Sequence, residues 1–233
     1  MEEYQQIAGI LSLSMGVAWA SGINLYAALV MVGLLGSTGN MVLPEQLQVL
    51  TNPLVIGAAG LMYMVEFVAD KTPGVDTVWD SLHTFIRIPA GAMLAAGAVG
   101  ELGPGMEMAA AIVGGGVAAT SHLTKAGSRV LINTSPEPVS NWVASLSEDA
   151  LVLGGLWAAI NHPWLFLGLF IGFMLFSIWL IPKLWRGIKA VFQGLGRLFG
   201  SKTATSGPGD PAHWETPSPS NDPKLPRMEQ KYP

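Results

Sequence analysis

Five long apolar segments divide this chain and restrict it to folds built from hydrophobic helices. They lie at residues 7–36, 53–70, 86–100, 106–121 and 151–181. A helix of about 20 apolar residues is long enough to cross the hydrocarbon core of a bilayer. Only 12% of the residues are charged, against about 25% in soluble domains. The sequence therefore predicts an all-α, polytopic helical membrane protein.

The first and last apolar segments are too long for one untilted span, since about 30 helical residues extend roughly 45 Å. Polar residues interrupt both, as SGIN at 21–24 and as NHP at 161–163. Irregular backbone at membrane depth persists only where it is buried in protein or lines a wet cavity. The interruptions therefore predict broken helices or re-entrant half-helices, and a single tilted helix that overshoots the bilayer is the alternative.

A break at SGIN would create a backbone site at Ser21, Gly22 and Asn24. The free N–H groups of residues 23–26 would then face an anion, as helix N-termini do in transporters with broken helices.

The stretch VEFVADKTPGVDTVWDSLHTFIRIP (residues 65–89) concentrates charge between apolar segments. Steps of four, three and four residues place part of this charge on one helical stripe, namely Asp76, Asp80, His83 and Arg87. The opposite side is apolar and is expected to be buried. Three further candidates end the preceding segment: Glu66, Asp70 and Lys71.

A second cluster of His122, Lys125 and Arg129 steps by three and four residues and so shares a helical face. Ionisable groups near membrane depth are expensive unless paired or wet, and they are usually functional. We therefore expect this cluster to lie beside the first one. The alternative is that each cluster is a solvated loop outside the membrane.

VEFVADK (residues 65–71) and ATSHLTK (residues 119–125) each follow an apolar segment and end in lysine. This weak similarity predicts a two-unit repeat of the kind common in transporters.

The chain divides into three predicted parts. A transmembrane domain covers residues 1–182, and a basic amphipathic helix at residues 183–202 would lie on an anionic lipid leaflet. Residues 203–233 are rich in proline, serine and glycine, and they predict a disordered tail. Because the basic cluster follows the last span, we expect the C-terminus to be cytoplasmic.

Composition excludes several classes of protein. The absence of cysteine excludes disulfides and iron–sulfur clusters, and a net charge of −4 gives no basic field for nucleic acid. The acidic start MEEYQQ is unlike a secretory signal. No HExxH and no serine or cysteine nucleophile motif occurs, so we expect neither an enzyme nor a bound metal or cofactor.

Three stretches together resemble a known family: SGINLYAAL, VEFVADKTPGVDTVWDSLHTFIRIPAGA and ATSHLTKAGSRVLINTSPEP. The family is catalogued as a domain of unknown function, DUF four-one-two-six, and the resemblance covers roughly residues 10 to 180. It implies a small multi-pass membrane protein, mainly of bacteria and hence of the inner membrane. It implies no activity.

The function expected first is a transporter, or a translocase of a lipid or an anion. Arg87, His122, Lys125 and Arg129 would hold a phosphate or a lipid headgroup, while the carboxylates and His83 would relay a proton. In a second version the carboxylates bind Na⁺ or a divalent cation. A non-catalytic membrane scaffold, which a homo-oligomer would suit, is the main alternative, and a metal-dependent intramembrane hydrolase is the weaker one.

Overall fold

The computed structural model describes residues 2–134 and 138–200, with the side chains of residue 138 and of residues 194–200 excepted. This part of the chain is all helical and contains no strand, which confirms the predicted fold class. It holds two short 3₁₀ helices, Glu45–Thr51 and Gly100–Leu102. The α-helices in chain order are α1 (Glu2–Ser37), α2 (Pro53–Ala69), α3 (Val75–Ala98), α4 (Pro104–Ile132), α5 (Pro138–Asn161) and α6 (Pro163–Gly200).

Both predicted helix breaks are present. Within α1, Asn24 has non-helical torsion angles, φ −145° and ψ 93°. The last apolar segment divides where α5 ends at Asn161 and α6 begins at Pro163. Proline suits the first position of a helix because its missing N–H would be unpaired there in any case.

Three described helices are long and apolar enough to cross a membrane: α1, the Val139–Asn161 part of α5 and the Pro163–Gln193 part of α6. The 3₁₀ helix Glu45–Thr51 and α2, bent by 67° at their junction, would make a fourth span. The chain is therefore a multi-pass membrane protein.

Helix α1 is the centre of the bundle and contacts α2, α3, α4 and α5. Buried serine hydroxyls on α1 donate to main-chain carbonyls of its neighbours. Ser14 donates to Ala95 of α3 at 2.9 Å, and Ser12 donates to Ala159 of α5 at 2.8 Å. These bonds hold together helices whose contacts are otherwise mostly apolar.

Small residues allow α3 and α4 to approach each other closely. A β-carbon added to Gly114 of α4 would collide with the β-carbon of Ala95 in α3, and one added to Gly91 would lie 2.5 Å from that of Ala118. Close contact of this kind is a main source of helix association in lipid.

The apolar side of α3, which is suited to burial, is not covered by the described part of the protein. Phe85 is 82% exposed and Leu82 is 64% exposed, whereas Asp80 and Arg87 are at most 1% exposed. Helix α3 thus turns its charged stripe inward and its apolar side outward. Such an arrangement suits lipid, because acyl chains solvate the apolar side while the charged groups pair inside.

Helix α6 continues through Pro182, so residues 183–200 form one helix with the last span. The chain divides into two compact units after Leu195. Of the second unit, only the backbone of residues 196–200 is described. Whether residues 183–202 lie on a membrane surface stays a prediction. The predicted tail at residues 203–233 lies outside the described residues. The two-unit repeat also stays a prediction.

Candidate functional site

The charged residues of both sequence clusters meet inside the bundle. None of the ten predicted residues is more than 7% exposed: Glu66, Asp70, Lys71, Asp76, Asp80, His83, Arg87, His122, Lys125 and Arg129. Most of them belong to one set of ion pairs, which we call the ion-pair network. Within the described residues, its members are Glu66, Asp70, Asp76, Asp80, Arg87, Lys125, Arg129 and Glu148.

Arg87 of α3 connects α2 to α4. Its Nη2 donates to Glu66 Oε1 at 2.6 Å, and its Nη1 donates to Asp80 Oδ1 at 2.9 Å. The same Nη1 lies 3.3 Å from Nδ1 of His122. The other ring nitrogen, Nε2, lies 2.7 Å from Thr84 Oγ1. Because arginine only donates, the contact at Nδ1 is a hydrogen bond only in the neutral form of His122 that carries its proton on Nε2.

Lys125 of α4 lies at the centre of the ion-pair network. Its ammonium is 2.7 Å from Asp70 Oδ2, 3.5 Å from Glu66 and 3.7 Å from Asp80. It also donates to the main-chain carbonyl of Ile23 at 3.0 Å. One cation thus joins the break in α1 to the carboxylates of α2 and α3.

The predicted backbone site at the α1 break lies next to the ion-pair network. Ser21 donates to the main-chain carbonyl of Arg87 at 2.8 Å, and Gly22 packs against the backbone of α4. Asn24 accepts from the N–H of Ala27 at 3.0 Å. The Ile23 carbonyl faces a lysine here, and the expected anion at the N–H groups of residues 23–26 stays a prediction.

Arg129 of α4 is held by α5. Its guanidinium forms a bidentate pair with Glu148, at 3.1 and 2.7 Å, and donates to the Asp70 carbonyl at 2.8 Å. Asp76 is only 3.9 Å away, and it accepts instead from main-chain N–H groups at the start of α3 and from Asn133. Local dipoles therefore compensate much of the Asp76 charge.

His83 and Lys71 lie beside the ion-pair network and form none of its ion pairs. His83 stacks on Trp79 with ring centroids 4.1 Å apart and lies 3.2 Å from the Tyr26 hydroxyl. The ammonium of Lys71, in the turn after α2, donates to Ser145 Oγ at 3.1 Å and covers the Phe67 ring. Burial lowers the pKa of Lys71.

Sequence reasoning missed the contribution of α5. This helix begins at Pro138, in the polar stretch between the apolar segments 106–121 and 151–181, and the proline occupies its first position. Asn141, Ser145 and Asp149 recur every fourth residue and are all buried. That spacing was the available signal for a polar helical face.

Negative charge exceeds positive charge inside the ion-pair network. Five carboxylates face three cations, which leaves a formal excess of two negative charges when His122 is neutral. Three carboxylate oxygens are buried without a hydrogen-bond partner in the described structure: Glu66 Oε2, Asp70 Oδ1 and Asp80 Oδ2. The described residues include no group of three or more His, Cys, Asp or Glu placed to hold a metal ion. These unpartnered oxygens are free to accept hydrogen bonds.

The model of one protein family, described as Domain of unknown function (DUF4126), matches residues 11–183. The chain belongs to this family. The match covers the whole of the ion-pair network, and the description assigns no activity to the family. No curated protein and no solved structure matches the chain.

Proposed function

We propose that the protein is a small membrane transporter whose ion-pair network binds a proton or a monovalent cation during transport. The observation that carries the proposal is the excess of carboxylates with buried, unpartnered oxygens on Glu66, Asp70 and Asp80. A proton or a cation would supply the missing positive charge and the missing donor at the same place.

A purely structural role explains the excess poorly. Burying an ion costs several kcal/mol even after the surroundings relax, and the cost is offset only by good pairing. A network built for stability alone would balance its charges and satisfy both oxygens of each carboxylate. Ionisable groups within membrane proteins usually mark ion or substrate pathways.

The break in α1 supports a transport role because it lies against the ion-pair network. Broken helices near a binding site are typical of secondary transporters, where main-chain carbonyls coordinate ions. Here Lys125 bonds both the Ile23 carbonyl and Asp70. A change in the charge of Asp70 would therefore alter the bond between Lys125 and the Ile23 carbonyl at the break.

An anionic substrate, such as phosphate or a lipid headgroup, is compatible with the same network under one condition. Arg87, Lys125 and Arg129 are already paired with carboxylates. Protonation of Glu66 would remove one of the two ion pairs of Arg87 and leave the pair with Asp80. Proton binding would then prepare the site for the anion, which couples the two ligands.

A non-catalytic scaffold is the second candidate, and the complete pairing of the three cations favours it. The ion-pair network joins α2, α3, α4 and α5 and bonds to α1. In that case neutralising a carboxylate would abolish folding and leave no function to measure.

We place the protein in a bacterial inner membrane with its C-terminus in the cytoplasm. Support comes from basic residues on the final part of α6, which would face the cytoplasm under the positive-inside tendency. Lys183, Arg186 and Lys189 follow the apolar part of that helix.

The experiment uses purified protein in proteoliposomes on a solid-supported membrane. Rapid acidification, and separately a rapid rise in Na⁺, should displace charge in the wild type. Glu66→Gln should reduce the displacement several-fold, while Glu101→Gln, at an exposed glutamate, should leave it unchanged. Asp80→Asn serves as the second test variant if Glu66→Gln does not fold.

Absence of a wild-type current under both jumps would contradict cation-coupled transport. So would a folded Glu66→Gln variant with an unchanged current. Loss of folding in every carboxylate variant, with no wild-type current, would favour the scaffold.

A further inference from the structure

We infer that Asp149, beside the α1 break at Asn24, is a separate binding site for a monovalent cation, either a proton or a sodium ion. Asp149 belongs to none of the ion pairs among the described residues. The inference concerns binding at this one carboxylate and goes beyond the proposed transport function.

Asp149 is a buried carboxylate with an incomplete set of partners. It is 8% exposed, and its Oδ1 accepts from Asn24 Nδ2 at 2.9 Å. Its Oδ2 is buried and has no hydrogen-bond partner in the described structure. An ionised carboxylate in this position has no salt-bridge partner among the described residues, so a bound cation or proton would stabilise it.

The charged groups around Asp149 do not supply that cation. Lys71 and Asp70 approach from the turn after α2, and Lys125 approaches from α4. Lys71 donates to Ser145 and to the Phe67 carbonyl, and Lys125 donates to Asp70 at 2.7 Å. Both lysines therefore bond elsewhere.

Helix α2 and α1 contribute uncharged groups to the same place. The Tyr63 hydroxyl of α2 is a second hydrogen-bond donor within reach of Asp149. From α1 comes Asn24, whose amide bonds Asp149 and whose Oδ1 is used by Ala27. Tyr63 and Ala27 also line an open groove of about 350 Å³ between α1, α2 and α5.

The chemistry of the site suits a small hard cation. The non-helical torsion angles of Asn24 interrupt the regular main-chain hydrogen bonding of α1, and the Asn24 side chain bonds Asp149 at this interruption. Carboxylate and main-chain oxygens of a broken helix are the ligands by which transporters hold Na⁺. Only one carboxylate is present, which matches a monovalent charge.

The test measures binding without requiring transport. The purified full chain in lipid nanodiscs is unfolded thermally in NaCl and in choline chloride at equal ionic strength, over a series of pH values. A ligand that binds only the folded state raises the midpoint temperature, and the rise grows with the logarithm of the ligand concentration relative to its Kd. We expect Na⁺, or else low pH, to raise the wild-type midpoint by a few degrees.

Asp149→Asn keeps the shape of the side chain and removes its charge, so its own midpoint should no longer respond to the effective ligand. Glu101→Gln, at an exposed carboxylate, should respond as the wild type does. A rise of the wild-type midpoint with Na⁺ at constant pH identifies sodium as the ligand, and a rise of the midpoint with acid alone identifies the proton. Infrared difference spectra across the acid step should then show a carboxyl band in the wild type that Asp149→Asn lacks.

A wild-type midpoint that responds to neither Na⁺ nor pH would overturn the inference without any variant being needed. An unchanged response in Asp149→Asn would also overturn it. If the midpoint does not depend on Asp149 while the Glu66-dependent currents are intact, the Asp149 site is contradicted and the proposed transporter still stands. An Asp149-dependent shift of the midpoint in a protein that gives no currents would support the Asp149 site and contradict the proposed transporter.

Discussion

The guanidinium of Arg87 lies 2.6 Å from the carboxylate of Glu66, and neither side chain is exposed. This pair connects α3 to α2, two helices that make few other contacts with each other. The position of α2 against α3 therefore depends more on a buried charge pair than on apolar packing between them.

Arg87→Met should destabilise the protein by about 3–5 kcal/mol, because it leaves Glu66 and Asp80 buried without their main partner. The free energy of unfolding can be measured by titration with a denaturing detergent. Arg186→Met, at an exposed arginine of α6, is the control and should change it little. The double variant Glu66→Gln/Arg87→Met should lose less than the sum of the two single losses. Strict additivity would mean that the two charges do not interact in the folded state.

Lys125→Met should sharply reduce the yield of folded, monodisperse protein. Asp70 then loses its 2.7 Å partner, and the negative excess of the ion-pair network grows. Adding Asp70→Asn to Lys125→Met should restore part of the yield, because the uncompensated carboxylate is removed. Lys183→Met, on the exposed side of α6, should behave as the wild type in size-exclusion chromatography. A normal yield of Lys125→Met alone would argue that the neighbouring carboxylates are already protonated.

Gly114→Ala should destabilise the bundle by about 1–3 kcal/mol, since the added methyl group overpacks the contact between α4 and α3. Gly116→Ala is a control in the same helix, because nothing lies within 4 Å of the added carbon. It should be neutral or stabilising by up to about 1 kcal/mol, as expected when alanine replaces a helical glycine. Thermal unfolding of both variants in one lipid or detergent tests the difference. Equal effects would mean that α3 and α4 are not in such close contact.

Asn24→Ala should lower the free energy of unfolding by about 1–3 kcal/mol, because it leaves a buried Asp149 oxygen unpaired. It also removes the acceptor of the Ala27 N–H. Amide hydrogen exchange should become faster near residue 27. Asn40→Ala, at an exposed loop residue, is the control for loss of an amide. Unchanged exchange around the α1 break would show that Asn24 does not hold its backbone.

Much of the fold was predictable because hydrophobic length and helical spacing are local properties. The breaks at SGIN and NHP were visible as polar residues within apolar segments too long for one span. The stripe from Asp76 to Arg87 followed from steps of three and four residues. Periodicity showed that one side of α3 is charged, and the charged stripe does lie beside the second cluster as expected, but periodicity did not show that the apolar side would be left uncovered by protein.

The candidate site was only partly predictable. Glu66 through Arg87 and His122 through Arg129 were recognised as two charged clusters. Glu148 and Asp149 were not among the candidates, although they directly precede the last apolar segment. Their roles differ although they are adjacent, since Glu148 pairs with Arg129 while Asp149 bonds Asn24.

The sequence by itself determined the class of the protein, its helical segments and the residues able to carry charge into a membrane. Only the tertiary structure decided which charges pair, which carboxylate oxygens lack a partner and which helix supplies the missing acids. The physical reason is the distance along the chain over which each property is determined. Helix formation and hydropathy depend on residues within a few turns, whereas the pairing of Lys125 with Asp70 joins positions 55 residues apart and exists only once four helices have packed around α1.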